Sequence, residues 1–133
     1  MDSQIVKAIT KILLHHTAQP APNTEQFVHK TTFYFEHEKI EYIAIVYIYK
    51  FIHFIKHTSM HPHHLWMGCV LTAIKLNSTV QLSLEHWERV TSISLRDLHS
   101  AYKDVYNTLG HAVLVNENEI EEFEKVFVQM TRV

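Results

Sequence analysis

Leu65 to Leu76, LWMGCVLTAIKL, is apolar nearly all the way round a helical wheel until it reaches Lys75. A helix without a polar stripe has to be enclosed by other elements. The lysine at its far end stands apart, because a cation beside the last carbonyls of a buried helix is favoured by the dipole and is placed to reach another molecule's backbone. Pro62 suits the first turn of such a helix, where a missing N–H leaves nothing unsatisfied. The helix is therefore expected from Pro62 to about Asn77, with Asn77-Ser78-Thr79 closing it.

The flanking segments supply the enclosure. Ile40 to Ile55 (IEYIAIVYIYKFIHFI) is rich in β-branched and aromatic residues, yet it is about three times a usual strand length and holds no turn residue, so a helix is expected. Leu84 to Thr91 reads as a short helix with Leu84, Trp87 and Val90 on one side. Ser94 with Asp97 three residues on is a capping-box-like start. Leu95, Leu98, Tyr102, Val105 and Leu109 then form an inner stripe, and Gly110 is the expected left-handed stop. Asn116 with Glu119 opens a last helix carrying Ile120, Phe123, Phe127 and Met130.

Towards the N-terminus, Ser3 opens a helix whose apolar positions are Ile5, Ile9, Ile12 and Leu13, with His15 and His16 near its carbonyl end. Ala18 to Asn23 is a proline-containing linker. Phe27 to Phe35 has strand-like composition with no evident partner strand, and is read as irregular or briefly helical.

The 133 residues, 47% hydrophobic and 20% charged, suit one domain with a single core. Two glycines and three prolines give little material for the turns of a sandwich or barrel. The net charge of −2 comes with scattered basic residues, so the phosphate-neutralising stripe of a nucleic-acid binder is not expected. The start of the sequence shows no leader pattern, and the apolar segments fall short of the roughly 20 residues of a membrane span. With Cys69 as the single cysteine, inside the apolar run, the expectation is an intracellular protein whose nuclear or cytoplasmic address stays open.

Twelve histidines invite a metal reading, above all His57, His61, His63 and His64 around Pro62, with His53 and His57 four apart on one helical face. No HExxH or paired Cys/His spacing accompanies them, so surface or capping roles are expected and no metal or other cofactor is assigned. Cys69 lies mid-helix among apolar neighbours, where a thiolate is disfavoured. There is no glycine-rich phosphate loop, and Glu36, Glu38 and Glu41 read as a solvated helix start. The chain reads as a binder, with no catalytic residue assigned.

In order, the YIYKF-containing helix, HPHHLWMGCVLTAIKL and LEHWERVTSISLRDLHSAYKDVYNTLGHAVLV resemble a cyclin box, the helical domain that binds and activates cyclin-dependent kinases. The resemblance spans Ile40 to Val115 and is closest in flavour to the fungal phosphate-signalling cyclins and the P/U-type cyclins. Tyr47, Ile48 and Lys50 occupy the family's tyrosine-isoleucine-aspartate-arginine segment, His63 and Leu65 its histidine-arginine-leucine start, and Ala73 and Lys75 its alanine-alanine-lysine end. Trp87 and Ile93-Ser94 fall at its aromatic residue and its glycine-glycine-isoleucine-serine turn.

The resemblance implies an all-α domain of five to seven helices around a buried central helix, with residues 1–35 as N-terminal helix and linker and 36–133 as the cyclin-box-like part. It leaves open whether residues 3–16 are the family's first helix. It also implies a cyclin-dependent protein kinase as partner, with Lys75 bonding to kinase main-chain carbonyls beside Leu76 and Asn77, and Tyr102 and Tyr106 on the facing helix. The family's acidic partner of the lysine falls at or beside Tyr102, and a neutral phenol accepts less strongly than a carboxylate. A helical adaptor of the same architecture with a non-kinase partner is the alternative expectation.

Overall fold

The computed structural model describes residues 3–17, 21–35, 38–77, 82–115, 117–122 and 125. Its helices are α1 (Ser3–His16), α2 (Thr24–Thr32), α3 (Glu38–Phe54), α4 (Pro62–Asn77), α5 (Leu84–Thr91) and α6 (Leu95–Leu109), followed by a 3₁₀ turn, Gly110–Val113. Residues 117–122 are helical as well. There is no strand among the described residues, only an isolated bridge between Thr17 and Thr58. The protein is all-α.

Ten of the sixteen residues of α4 are buried, from Pro62 to Ala73. The helix is the axis of the domain, and its largest interfaces are with α6 and α3. Gly68 explains how α6 comes so near. A Cβ there would stand 2.6 Å from Val105 Cγ2 and 2.7 Å from the Ala101 carbonyl oxygen, closer than any side chain tolerates. Polar groups inside are satisfied locally: the Thr72 hydroxyl donates to the Gly68 carbonyl at 2.7 Å, and Trp66 Nε1 donates to Thr31 Oγ1 at 2.8 Å.

The strand-like composition of α3 gives way to burial, since Ile40, Ile43, Ala44, Ile45, Val46, Tyr47, Ile48 and Phe51 all enter the interior. One continuous core joins Val6, Ile9 and Leu13 of α1 and Phe27 and Val28 of α2 to the residues of α3 through α6. Of Phe27 to Phe35, whose strand-like composition leaves their type open, the residues up to Thr32 belong to the regular helix α2, and 33–35 lie beyond it. In that helix the Thr31 and Thr32 hydroxyls turn back onto the Val28 and His29 carbonyls, which lets threonine sit in a helix without leaving a buried hydroxyl unmet.

Three local expectations are corrected. Leu95 is exposed, and the buried stripe of α6 is Leu98, Ala101, Val105 and Leu109; the Leu95 N–H instead donates to the Glu88 carboxylate at 3.0 Å, tying α6 to α5. Gly110 ends α6 as its C-cap at a positive φ of 54°, as expected of a glycine stop, but its ψ of −124° lies outside the left-handed helical well and a 3₁₀ turn follows. His57 lies beyond the end of α3, so it does not share a helical face with His53. The Ser94 cap is as expected, its hydroxyl accepting from Asp97 N at 3.2 Å. Ala18 to Pro20, Glu36, Ser78, Thr79, Asn116, Phe123, Phe127 and Met130 lie outside the described residues.

Candidate partner-docking surface

Lys75 emerges in the last turn of α4 and is exposed. It has no ion pair among the described residues. Its neighbours Leu76 and Asn77 line an open cleft of about 410 Å³ together with Tyr106 of α6 and with Val113, Leu114 and Val115 of the segment that follows. Leu76, Tyr106 and Leu114 are 42%, 39% and 76% exposed, so the rim offers apolar surface to solvent. The structure thus brings Leu76, Asn77 and Tyr106 to one place; Lys75, the residue before them on α4, is exposed but does not line the cleft.

Tyr102 is half-buried one turn earlier on α6 and stacks on Tyr106, with ring centroids 5.9 Å apart. Burial and the neighbouring phenol hold its pKa above the usual tyrosine value, so the ring is neutral around pH 7. The nearby carboxylate of Asp104 belongs to a different opening. It lines a second cleft of about 400 Å³ with Phe51, Ile55, Met60, Asn107 and Thr108, among others. The acid two residues on from Tyr102 thus lines a different cleft from Tyr106.

The far wall of the first cleft is set by residues of α3. The Tyr47 hydroxyl donates to the Val113 carbonyl at 2.7 Å and accepts from Asn77 Nδ2 at 3.1 Å. Lys50 Nζ donates to the Ala112 carbonyl at 2.8 Å and pairs with Glu119 at 3.1 Å. Val113, Leu114 and Val115 carry no site signal in the sequence beyond being a short apolar run after Gly110. Their part in the cleft depends on side chains more than sixty residues away.

The opposite end of α4 holds the histidines. His61 precedes the helix, and its Nδ1 accepts the His63 backbone N–H at 3.1 Å, a capping bond. The His63 ring stacks on Phe27, with centroids 4.1 Å apart and planes 6° from parallel. Because the Thr24 hydroxyl spends its proton on the Ala21 carbonyl, His63 Nε2 is the donor in the 3.1 Å contact to Thr24 Oγ1. Burial, then the neighbouring imidazoles of His61 and His64, depress the His63 pKa to about 4; burial and His64 lower that of His61. No group of three or more metal-ligating side chains forms among the described residues. Cys69 is completely enclosed, and burial pushes its thiol pKa up, so it is no nucleophile in this state. No helix among the described residues is long and apolar enough to cross a membrane.

No family model, curated protein or solved structure matches the chain.

Proposed function

We propose that the protein is a cyclin-like regulatory subunit, without catalytic residues of its own, that docks and activates a cyclin-dependent protein kinase. The observation that carries this reading is the exposed Lys75, without an ion pair among the described residues, at the tip of an enclosed helix and next in sequence to the apolar-rimmed cleft of Leu76, Asn77 and Tyr106. An ammonium group held there has donors to spare for a partner's main-chain carbonyls. Leu76 and Tyr106 supply the apolar contact that a lone charge at a surface cannot, and tyrosine is a frequent hot-spot residue.

Activation follows from differential affinity. A subunit that binds the active arrangement of a kinase more tightly than the inactive one shifts the kinase by that difference and no more. The enclosed α4 presents Lys75 on a rigid base, so little ordering is required at the moment of contact. An intracellular address fits this role and the single buried thiol.

A second reading is favoured by one feature. Where the resemblance asks for an acid, Tyr102 is neutral and stacked on Tyr106, which supports a helical adaptor whose partner offers no backbone donors to clamp. Affinity capture from cells with the wild-type chain and with Lys75→Ala as baits separates these. Recovery of a kinase by the wild type and at least tenfold less by the variant is expected. A wild-type bait that brings down no kinase, or a variant that recovers it undiminished, overturns the kinase reading.

A further inference from the structure

The two sides of the cleft come from distant parts of the chain, and one buried hydroxyl joins them. Asn77 ends α4, while Val113 follows α6; Tyr47, enclosed in α3, accepts from the first at 3.1 Å and donates to the second at 2.7 Å. Three residues further along α3, and so on the same face, Lys50 reaches the Ala112 carbonyl at 2.8 Å and Glu119 at 3.1 Å. Its charge sits at the carbonyl end of α6 and the 3₁₀ turn, where the dipole favours a cation.

We propose that Tyr47 and Lys50 form a crossbar that sets the width of the docking cleft, and that Lys50, held between the Ala112 carbonyl and Glu119, is its releasable end. Resting on the docking reading above, the inference names a control on that same surface. The two bonds of Tyr47 differ in kind from the pair at Lys50. A buried carbonyl left without a donor is penalised in full, so the Tyr47 end stays closed as long as the domain is folded. The side chains of Lys50 and Glu119 are 24% and 42% exposed, so their attraction is weak and screened by salt. Withdrawal of the Lys50 ammonium from both Glu119 and the Ala112 carbonyl frees the 112–115 wall to move, and partner binding weakens. By linkage, a bound partner tightens the crossbar.

Tyr47 and Lys50 are positioning residues, and the test reads the wall directly. Amide hydrogen exchange is followed at Val113, Leu114 and Val115 in the full chain. Lys50→Met should speed exchange there severalfold while amides of α4 keep their rates. Lys50→Arg should restore protection, and the charge exchange Lys50→Glu with Glu119→Lys should not, because a carboxylate at 50 has no proton to give the Ala112 carbonyl. Tyr47→Phe, which preserves shape, should speed the same amides by about tenfold or more, the equivalent of losing about one buried hydrogen bond.

Unchanged exchange at 113–115 in both Lys50→Met and Tyr47→Phe overturns the crossbar, as does a uniform rise across α4 and α6. Kinase capture supplies the second arm. A Lys50→Met bait that recovers the kinase fully despite a loosened wall overturns the coupling between wall and docking. A wild-type bait that recovers none overturns the docking reading instead, and the exchange data then judge the crossbar by itself.

Discussion

The two ends of α4 are built on opposite plans. At its start, imidazoles held neutral by burial cover the helix, with His61 capping it and His63 stacked on Phe27. At its finish, a charged lysine stands in solvent beside an open cleft. The helix dipole is compatible with both, since it disfavours cations at the amino end and favours them at the carboxyl end. One end is committed to holding the fold. The other ties Asn77 to the Tyr47 hydroxyl and leaves Lys75 in solvent.

The largest way to break this contrast is at the closed end. Trp66→Ala removes the biggest enclosed side chain and its bond to Thr31, and should cost about 3–5 kcal/mol, read as a drop in the denaturation midpoint. Lys75→Ala should change stability by less than about 0.5 kcal/mol in the same measurement. A large loss for Lys75→Ala would show that the open end is structural after all.

Next in size is the middle of the helix. Gly68→Ala drives a methyl group against Val105 and the Ala101 carbonyl, and backbone does not yield as a flexible side chain does, so a loss of about 1–3 kcal/mol is expected by thermal or denaturant unfolding. An alanine variant as stable as the wild type would mean that α4 and α6 stand further apart than described here.

Acid provides the smallest and most selective test. The His63 pKa lies near 4 in the folded chain against about 6.5 unfolded, so the folded state binds fewer protons between those values. Stability is fully present above pH 6.5 and declines as the pH falls towards 4, by about 1 kcal/mol once solvent screening of a partly exposed ring is allowed for. His63→Asn should flatten the unfolding curve against pH in that window. A decline of equal size in the variant would place the sensitive group elsewhere.

How much of this was written in the sequence depended on how local the signal was. Pro62 and the unbroken apolar run fix α4 from Pro62 to Asn77, and the three-residue spacing of Leu84, Trp87 and Val90 fixes α5, because each follows from neighbours within a turn or two. Phe27 to Phe35 was ambiguous since its threonines and aromatics favour strands in isolation, and burial of Phe27, Val28 and Thr31 decides for a helix as far as Thr32. Leu95 sits on the arithmetic stripe yet outside the core, because it lies in the first turn of α6 and burial begins only at Leu98 and Ala101. Of the proposed docking surface, the resemblance names Lys75, Leu76, Asn77, Tyr102 and Tyr106, and the structure gathers Leu76, Asn77 and Tyr106 at one cleft. Its second wall was not legible, since it exists only through Tyr47 and Lys50, and a bond between α3 and residue 113 leaves no local pattern.

Cys69 has one more use. As the single sulfhydryl in the chain, sealed between α4 and its neighbours, it has no route to a reagent in solution while the domain is closed. Alkylation at that position is therefore a clock for whole-domain opening. Added to the protein as it stands, with no engineered label, a thiol reagent would time how often the core comes apart and how far any captured partner slows it.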